Sequence, residues 1–129
     1  MRVVKLKTVP EADREKVRQK ISQALAKSPE AEKWLSFFEE HCYGDRITCY
    51  VVQDGEEYLP AVIMYAEEIE DCPMLWVSPE HQGKGCARNL VDHVGIRCLE
   101  PDRGSHDFWK SLGFRANAEG RWTKCNPVQ

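Results

Sequence analysis

Between Ile47 and Val77 the hydrophobic period of the chain changes, and that change limits the folds open to it. Up to Cys42 the apolar residues recur at helical spacing. From Ile47 they run in β-branched and aromatic blocks, "ITCYVVQ" and "YLPAVIMYAEE", around Asp54-Gly55. Those blocks read as the strands of a hairpin, Ile47 to Gln53 and Tyr58 to Glu67. A third run, "CPMLWV" from Cys72 to Val77, extends the sheet. Helical spacing then returns in Ala87, Leu90, Val91 and Val94, with Gly95 as the stop.

The flanks complete the order. Val3 to Leu6 reads as a strand, and Thr8 with Glu11 as a capping box ahead of a helix striped by Val17, Ile21, Ala24 and Leu25. Ser28-Pro29 is expected to cap a second helix with Trp34, Leu35, Phe37, Phe38, His41 and Cys42 on its apolar side, stopped by Gly44. "IRCLE" is a strand. "SHDFWKSLGF" is a short helix from a Ser105 cap to Gly113, burying Phe108, Trp109 and Leu112. "RANA" and "RWTKCN" close the chain as two strands about Glu119-Gly120. The order β-α-α-β-β-β-α-β-α-β-β, with no repeat or linker, predicts one α/β or α+β domain with a mixed sheet over residues 1–129.

Composition closes several routes. No apolar run approaches the roughly 20 residues of a membrane span. The start lacks the marks of a signal peptide, so a cytoplasmic setting is expected. In that setting the cysteines at 42, 49, 72, 86, 98 and 125 are expected as reduced thiols; no C-x-x-C pair occurs. The histidines at 41, 81, 93 and 106 are scattered without metal-ligand spacing, so no metal is expected, and His81 and His93 read as surface residues. A net charge of −3 argues against a non-specific nucleic-acid binder. The acidic clusters Glu39-Glu40, Asp54 with Glu56-Glu57, and Glu67 to Asp71 are solvated loop ends or face a cationic substrate.

The stretch "VSPEHQGKGCARNL", Val77 to Leu90, joins strand to helix through Gly83 and Gly85. Free amides at a helix N-terminus, the positive end of its dipole and glycines that admit close approach make an anion cradle. It is not a P-loop, because Gly85-Cys86 follows Lys84, and Arg88 breaks the dinucleotide pattern. On the glycines alone, a plain connecting turn is the better reading, since such turns are common.

The stretch resembles the acetyl-CoA loop of the GNAT superfamily of N-acetyltransferases, Q/R-x-x-G-x-G/A, in Gln82 to Ala87, with Val77-Ser78-Pro79-Glu80 as its lead-in. A second family motif, F/L-Y-x-K-x-G-F, is similar to Phe108 to Phe114. The resemblance implies a mixed, mostly antiparallel central sheet flanked by about four helices. It implies that backbone groups of Leu75, Trp76 and Val77 pair with the pantetheine arm of acetyl-CoA as an added strand. It implies too that amides of Gly83, Lys84, Gly85, Cys86, Ala87 and Arg88 hold the pyrophosphate, while the Gln82 side chain braces the loop. The acceptor would be a primary amine: a protein lysine, a peptide amine or a polyamine.

At the proton-transfer positions the sequence departs from the family. The usual donor, a tyrosine, is Trp109 here, whose indole supplies no proton at neutral pH, so the resemblance implies for Trp109 a cofactor contact and no acid role. Asp102 and Ser105 stand where the family often has Asn and Ala. Three routes are open: an unassisted thiolate, Ser105 or His106 as donor, or acetyl-CoA binding without efficient turnover. The first is favoured, since a thiol pKa of about 8.5 makes a tolerable leaving group. Asp71 matches the carboxylate some members use as base. Rival readings are a GNAT-fold protein that docks on a partner with weak or no transfer, and a nucleotide-binding module.

Overall fold

The computed structural model describes residues 1–66, 74–96, 98–101 and 106–124. Four strands form one antiparallel sheet in chain order: β1 (Arg2–Lys5), β2 (Thr48–Asp54), β3 (Glu57–Tyr65) and β4 (Met74–Val77). Three more form a second antiparallel sheet, β5 (Cys98–Leu99), β7 (Trp122–Lys124) and β6 (Phe114–Ala116), in the spatial order β5-β7-β6. Among the described residues no pairing is parallel and none joins the two sheets. The expected mostly antiparallel sheet is present; among the described residues its strands pair in two groups, and β4 pairs there with β3 alone.

Among the described residues four α-helices join the strands: α1 (Glu11–Lys27), α2 (Leu35–His41), α3 (Cys86–Val94) and α4 (His106–Ser111). Strand alternation sends side chains to two cores. One, on the α1/α2 side, holds Val17, Ile21, Leu25, Phe38, Val51, Val62 and Met64. The other, on the α3/α4 side, holds Val52, Ile63, Cys86, Leu90, Leu99, Trp109, Phe114 and Trp122. Ile63 and Met64, adjacent in β3 and both buried, face opposite cores. A strand covered on both faces is apolar throughout, which is why "AVIM" carries no polar alternation.

Two caps differ from expectation. Leu6–Thr8 forms a 3-10 turn that buries Leu6, so the Thr8 hydroxyl donates to the Lys5 carbonyl at 2.8 Å and does not cap α1. α1 starts after Pro10 with no side-chain cap. Ser28 ends α1, and its carbonyl accepts the amides of Ala31 and Glu32. A second 3-10 turn, Glu32–Trp34, leads into α2 instead.

β3 carries the irregularity that matters for the loop. Val51 pairs with Val62 but Val52 with Leu59, so Pro60 and Ala61 are extra on β3. Proline has no amide to donate and is tolerated in a strand at such a bulge. An insertion of this length leaves each side chain on its own face. It also presents the Pro60 carbonyl to the far side, where it accepts the Ser78 amide at 3.0 Å.

Candidate acetyl-donor site

Each residue of the connection from β4 to α3 is held by identifiable bonds. Leu75, Trp76 and Val77 pair with Ile63, Val62 and Ala61 along one edge of β4. Trp76 packs against the α1/α2 core, Leu75 and Val77 against the α3/α4 core. Their other backbone edge has no strand partner among the described residues, as an incoming extended group requires.

Past Val77 the chain makes a 3-10 turn, Pro79–His81. Ser78 is buried, and its Oγ lies 2.8 Å from His81 Nδ1. The His81 amide donates to the Ser78 carbonyl at 2.9 Å. Gln82 Nε2 reaches back to the Val77 carbonyl at 3.1 Å, closing the base of the loop.

Gly83 and Gly85 follow with φ of +82° and +86°. A Cβ at Gly83 would meet nothing within 4 Å, and at Gly85 only Asn89 Nδ2 at 3.9 Å. Glycine is therefore demanded by backbone conformation, not by crowding. Gly85 is the residue preceding α3, and its carbonyl accepts the Asn89 amide at 3.0 Å. The first α3 amides have no partner within the helix and carry its positive pole. Lys84 is exposed beside them. The open space over both glycines, the free amides and the lysine fit a diphosphate, and the free edge of β4 fits an amide-bearing arm such as pantetheine.

Cys86 opens α3 but turns inward, 1% exposed. Burial pushes its thiol up, with Lys84 opposing. A raised thiol in an apolar core is no nucleophile. Ala87 is half-buried against the same core. The Arg88 guanidinium donates to the Ser111 carbonyl at 3.3 Å, tying α3 to the end of α4.

Trp109 is 2% exposed, edge-on to Phe108 and Phe114 at 5.1 and 5.3 Å between centroids. Its ring fills the α3/α4 core. His106, one turn earlier, lies against the Trp122 ring at 4.6 Å. Asp71, Asp102 and Ser105 lie outside the described residues.

Sequence reasoning missed the Ser78–His81 pair, because His81 read as a surface residue. The available signal was a serine and a histidine bracketing Pro79 at turn spacing. Among the described residues Cys42, Cys49, Cys86 and Cys98 are free thiols. No cluster of metal-ligating side chains occurs among the described residues, and no helix there is long and apolar enough to cross a membrane.

The profile of the acetyltransferase (GNAT) domain matches residues 45–116, from just before β2 to the end of β6. Three solved structures share the fold. One, described as histone acetyltransferase HPA2 and related acetyltransferase from Corynebacterium glutamicum, is 17% identical with a TM-score of 0.58, covering 99% of this chain and 98% of that one. A ribosomal-protein alanine N-acetyltransferase from Escherichia coli is 16% identical with a TM-score of 0.54, covering 98% and 97%. A spermidine N-acetyltransferase chimera from Vibrio cholerae is 16% identical with a TM-score of 0.56, covering 92% and 82%. No curated protein matches the chain in sequence.

Proposed function

Since the chain belongs to the GNAT acetyltransferase family, we propose that it moves an acetyl group from acetyl-CoA to a primary amine as one domain over residues 1–129. The observation that carries this reading is the run from the free edge of β4 into the left-handed glycines ahead of α3. In it Leu75, Trp76 and Val77 supply backbone groups to the pantetheine arm, and the amides from Gly83 to Arg88 supply the anion cradle. Lys84 adds charge, and Gln82 holds the base of the loop.

The thioester supplies an activated acyl group: the ammonium acceptor first loses one proton to a base, the free amine nitrogen then bonds to the carbonyl carbon, the carbon–sulfur bond breaks with its electron pair going to sulfur, and a second proton leaves the nitrogen to water. Asp71 is the base we assign to the ammonium proton; in the route we favour nothing protonates the sulfur, and Ser105 or His106 is the donor only in the alternative. Trp109 takes no part, since an indole N–H is not acidic and its ring is in the core. The sulfur then departs as thiolate, a route that forgoes the roughly hundred- to ten-thousand-fold of general acid catalysis.

The acceptor is a cationic amine in this reading: a polyamine, a peptide amine or a protein lysine. The relatives in fold include proteins named for spermidine, for a ribosomal-protein alanine and for histones. The acidic side chains of Glu40 and Glu56 are exposed and suit such a partner, while Glu39 and Glu57 pair with Arg18 and Lys20. A second reading is favoured by the buried Trp109: an acetyl-CoA-binding protein that docks on a partner with little transfer.

One experiment separates the two. Acetyl-CoA binding is measured by calorimetry, and free CoA thiol is followed with spermidine, a lysine peptide and an N-terminal alanine peptide. Binding with amine-dependent thiol release supports the enzyme. Saturable binding without release supports docking, and absence of acetyl-CoA binding overturns both.

A further inference from the structure

Among the described residues Ser78 is the buried polar residue, 7% exposed, and it sits where β4 gives way to the loop. It is held at three points. Its amide donates to the bulge carbonyl of Pro60 at 3.0 Å, and its carbonyl accepts the His81 amide at 2.9 Å. Its hydroxyl meets His81 Nδ1 at 2.8 Å. His81 is half-buried and is followed by Gln82, whose side chain returns to Val77. The first left-handed glycine comes next. The direction of the glycine amides therefore depends on the turn from Ser78 to Gln82, which the Ser78–His81 side-chain bond spans across Pro79 and Glu80, beside the Ser78–His81 backbone bond and the Gln82–Val77 bond.

We propose that Ser78 and His81 are a positioning pair for the anion loop. The imidazole holds the buried hydroxyl, which locks the turn onto the β3 bulge and aims the amides of Gly83 to Arg88 before any ligand arrives. The pair makes no contact with reacting atoms and does not act as acid or base. Preorganised amides bind an anion without the cost of ordering the loop. The proposal rests on the acetyl-CoA reading above, because it assigns the loop a CoA diphosphate.

Asparagine places a polar atom close to the position of Nδ1, and alanine places none, so His81→Asn is the rescue variant. Wild type, His81→Ala, Ser78→Ala, His81→Asn and the double alanine variant are compared. The readouts are amide hydrogen exchange over residues 82–88 without ligand, acetyl-CoA binding, and steady-state transfer. Expected are faster exchange and a KM for acetyl-CoA raised about three- to tenfold in each alanine variant, the fold-change of one hydrogen bond. kcat stays within about twofold, as for a group that acts only on ligand binding. His81→Asn restores both, and the double variant is no worse than either single one.

Wild-type exchange and KM in a folded His81→Ala or Ser78→Ala variant overturn this proposal alone. Wild-type protein that does not bind acetyl-CoA overturns the acetyl-CoA reading and this proposal with it. Should His81→Ala fail to fold, Ser78→Ala carries the same test.

Discussion

The Pro60 carbonyl accepts the Ser78 amide at 3.0 Å, joining the bulge of β3 to the point where β4 becomes the glycine loop. The last hydrogen bond of β4 is thus made to the residue that cannot itself donate. The loop begins from a fixed place in the sheet, and the positive pole of α3 lies a few residues further on.

Gly85→Ala puts a Cβ on a residue with φ +86°. The expected loss is about 1–2 kcal/mol of stability, from the left-handed conformation alone. It is read as a lowered urea midpoint, with weaker acetyl-CoA binding. Open space around the new Cβ limits the loss to strain. A stability equal to wild type would mean that the loop is not held in this conformation.

Trp109→Ala should cost about 3–5 kcal/mol, because the indole fills the α3/α4 core. Trp109→Phe should cost clearly less. Its kcat should stay within about twofold of wild type, since a ring that gives no proton loses none. A hundredfold fall in kcat for a folded Trp109→Phe would instead place the indole in the chemistry.

Asp71→Asn should lower kcat/KM and flatten the alkaline-rising limb of the pH profile, the behaviour of a lost general base. An unchanged profile removes Asp71 and leaves water to carry the proton.

Two exposed carboxylates should make folding sensitive to acid. Arg18 holds the Glu15 carboxyl below its ordinary range, chiefly by hydrogen bonding, and Lys7 does the same for Asp45. A lowered folded pKa stabilises the protein above the unfolded value, and that share is lost as the pH falls through the folded one. Urea midpoints should therefore drop below about pH 4, the ordinary carboxylate range. Asp45→Asn should show less of the drop, and added salt should shrink it, because exposed pairs are screened.

Thiol labelling of the native protein tests the burial of the cysteines. Burial raises the thiols of Cys42, Cys49 and Cys86. These three should label slowly at neutral pH, and the half-buried Cys98 faster. Rapid modification of Cys86 would contradict its place in the core.

Much of the site was legible because its signals are local. Gln82, Gly83 and Gly85 between an apolar run and a helical stripe announce a strand, a loop and a helix wherever they occur. The stripe Leu90, Val91, Val94 needs only its own spacing to show which face is buried. The caps assigned to Thr8 and Ser28 failed because burying Leu6 and Ala31 introduced tight turns that local propensity did not register. His81 was read as a surface residue because its partner is set by a turn, not by periodicity.

By itself the sequence determined the order of elements, the unbroken apolar run of β3 and the glycine-bearing connection from β4 to α3, all consequences of nearest-neighbour chemistry and side-chain period. Only the tertiary structure decided that, among the described residues, the strands pair in two groups and one edge of β4 has no strand partner. It also decided that Pro60 sits in a bulge aimed at Ser78, and that Trp109 points into the core where the family resemblance led one to seek a proton donor. These outcomes join residues far apart in the chain. A strand's register and a helix's docking are chosen by the packing of all the elements together, and no window of sequence contains that choice.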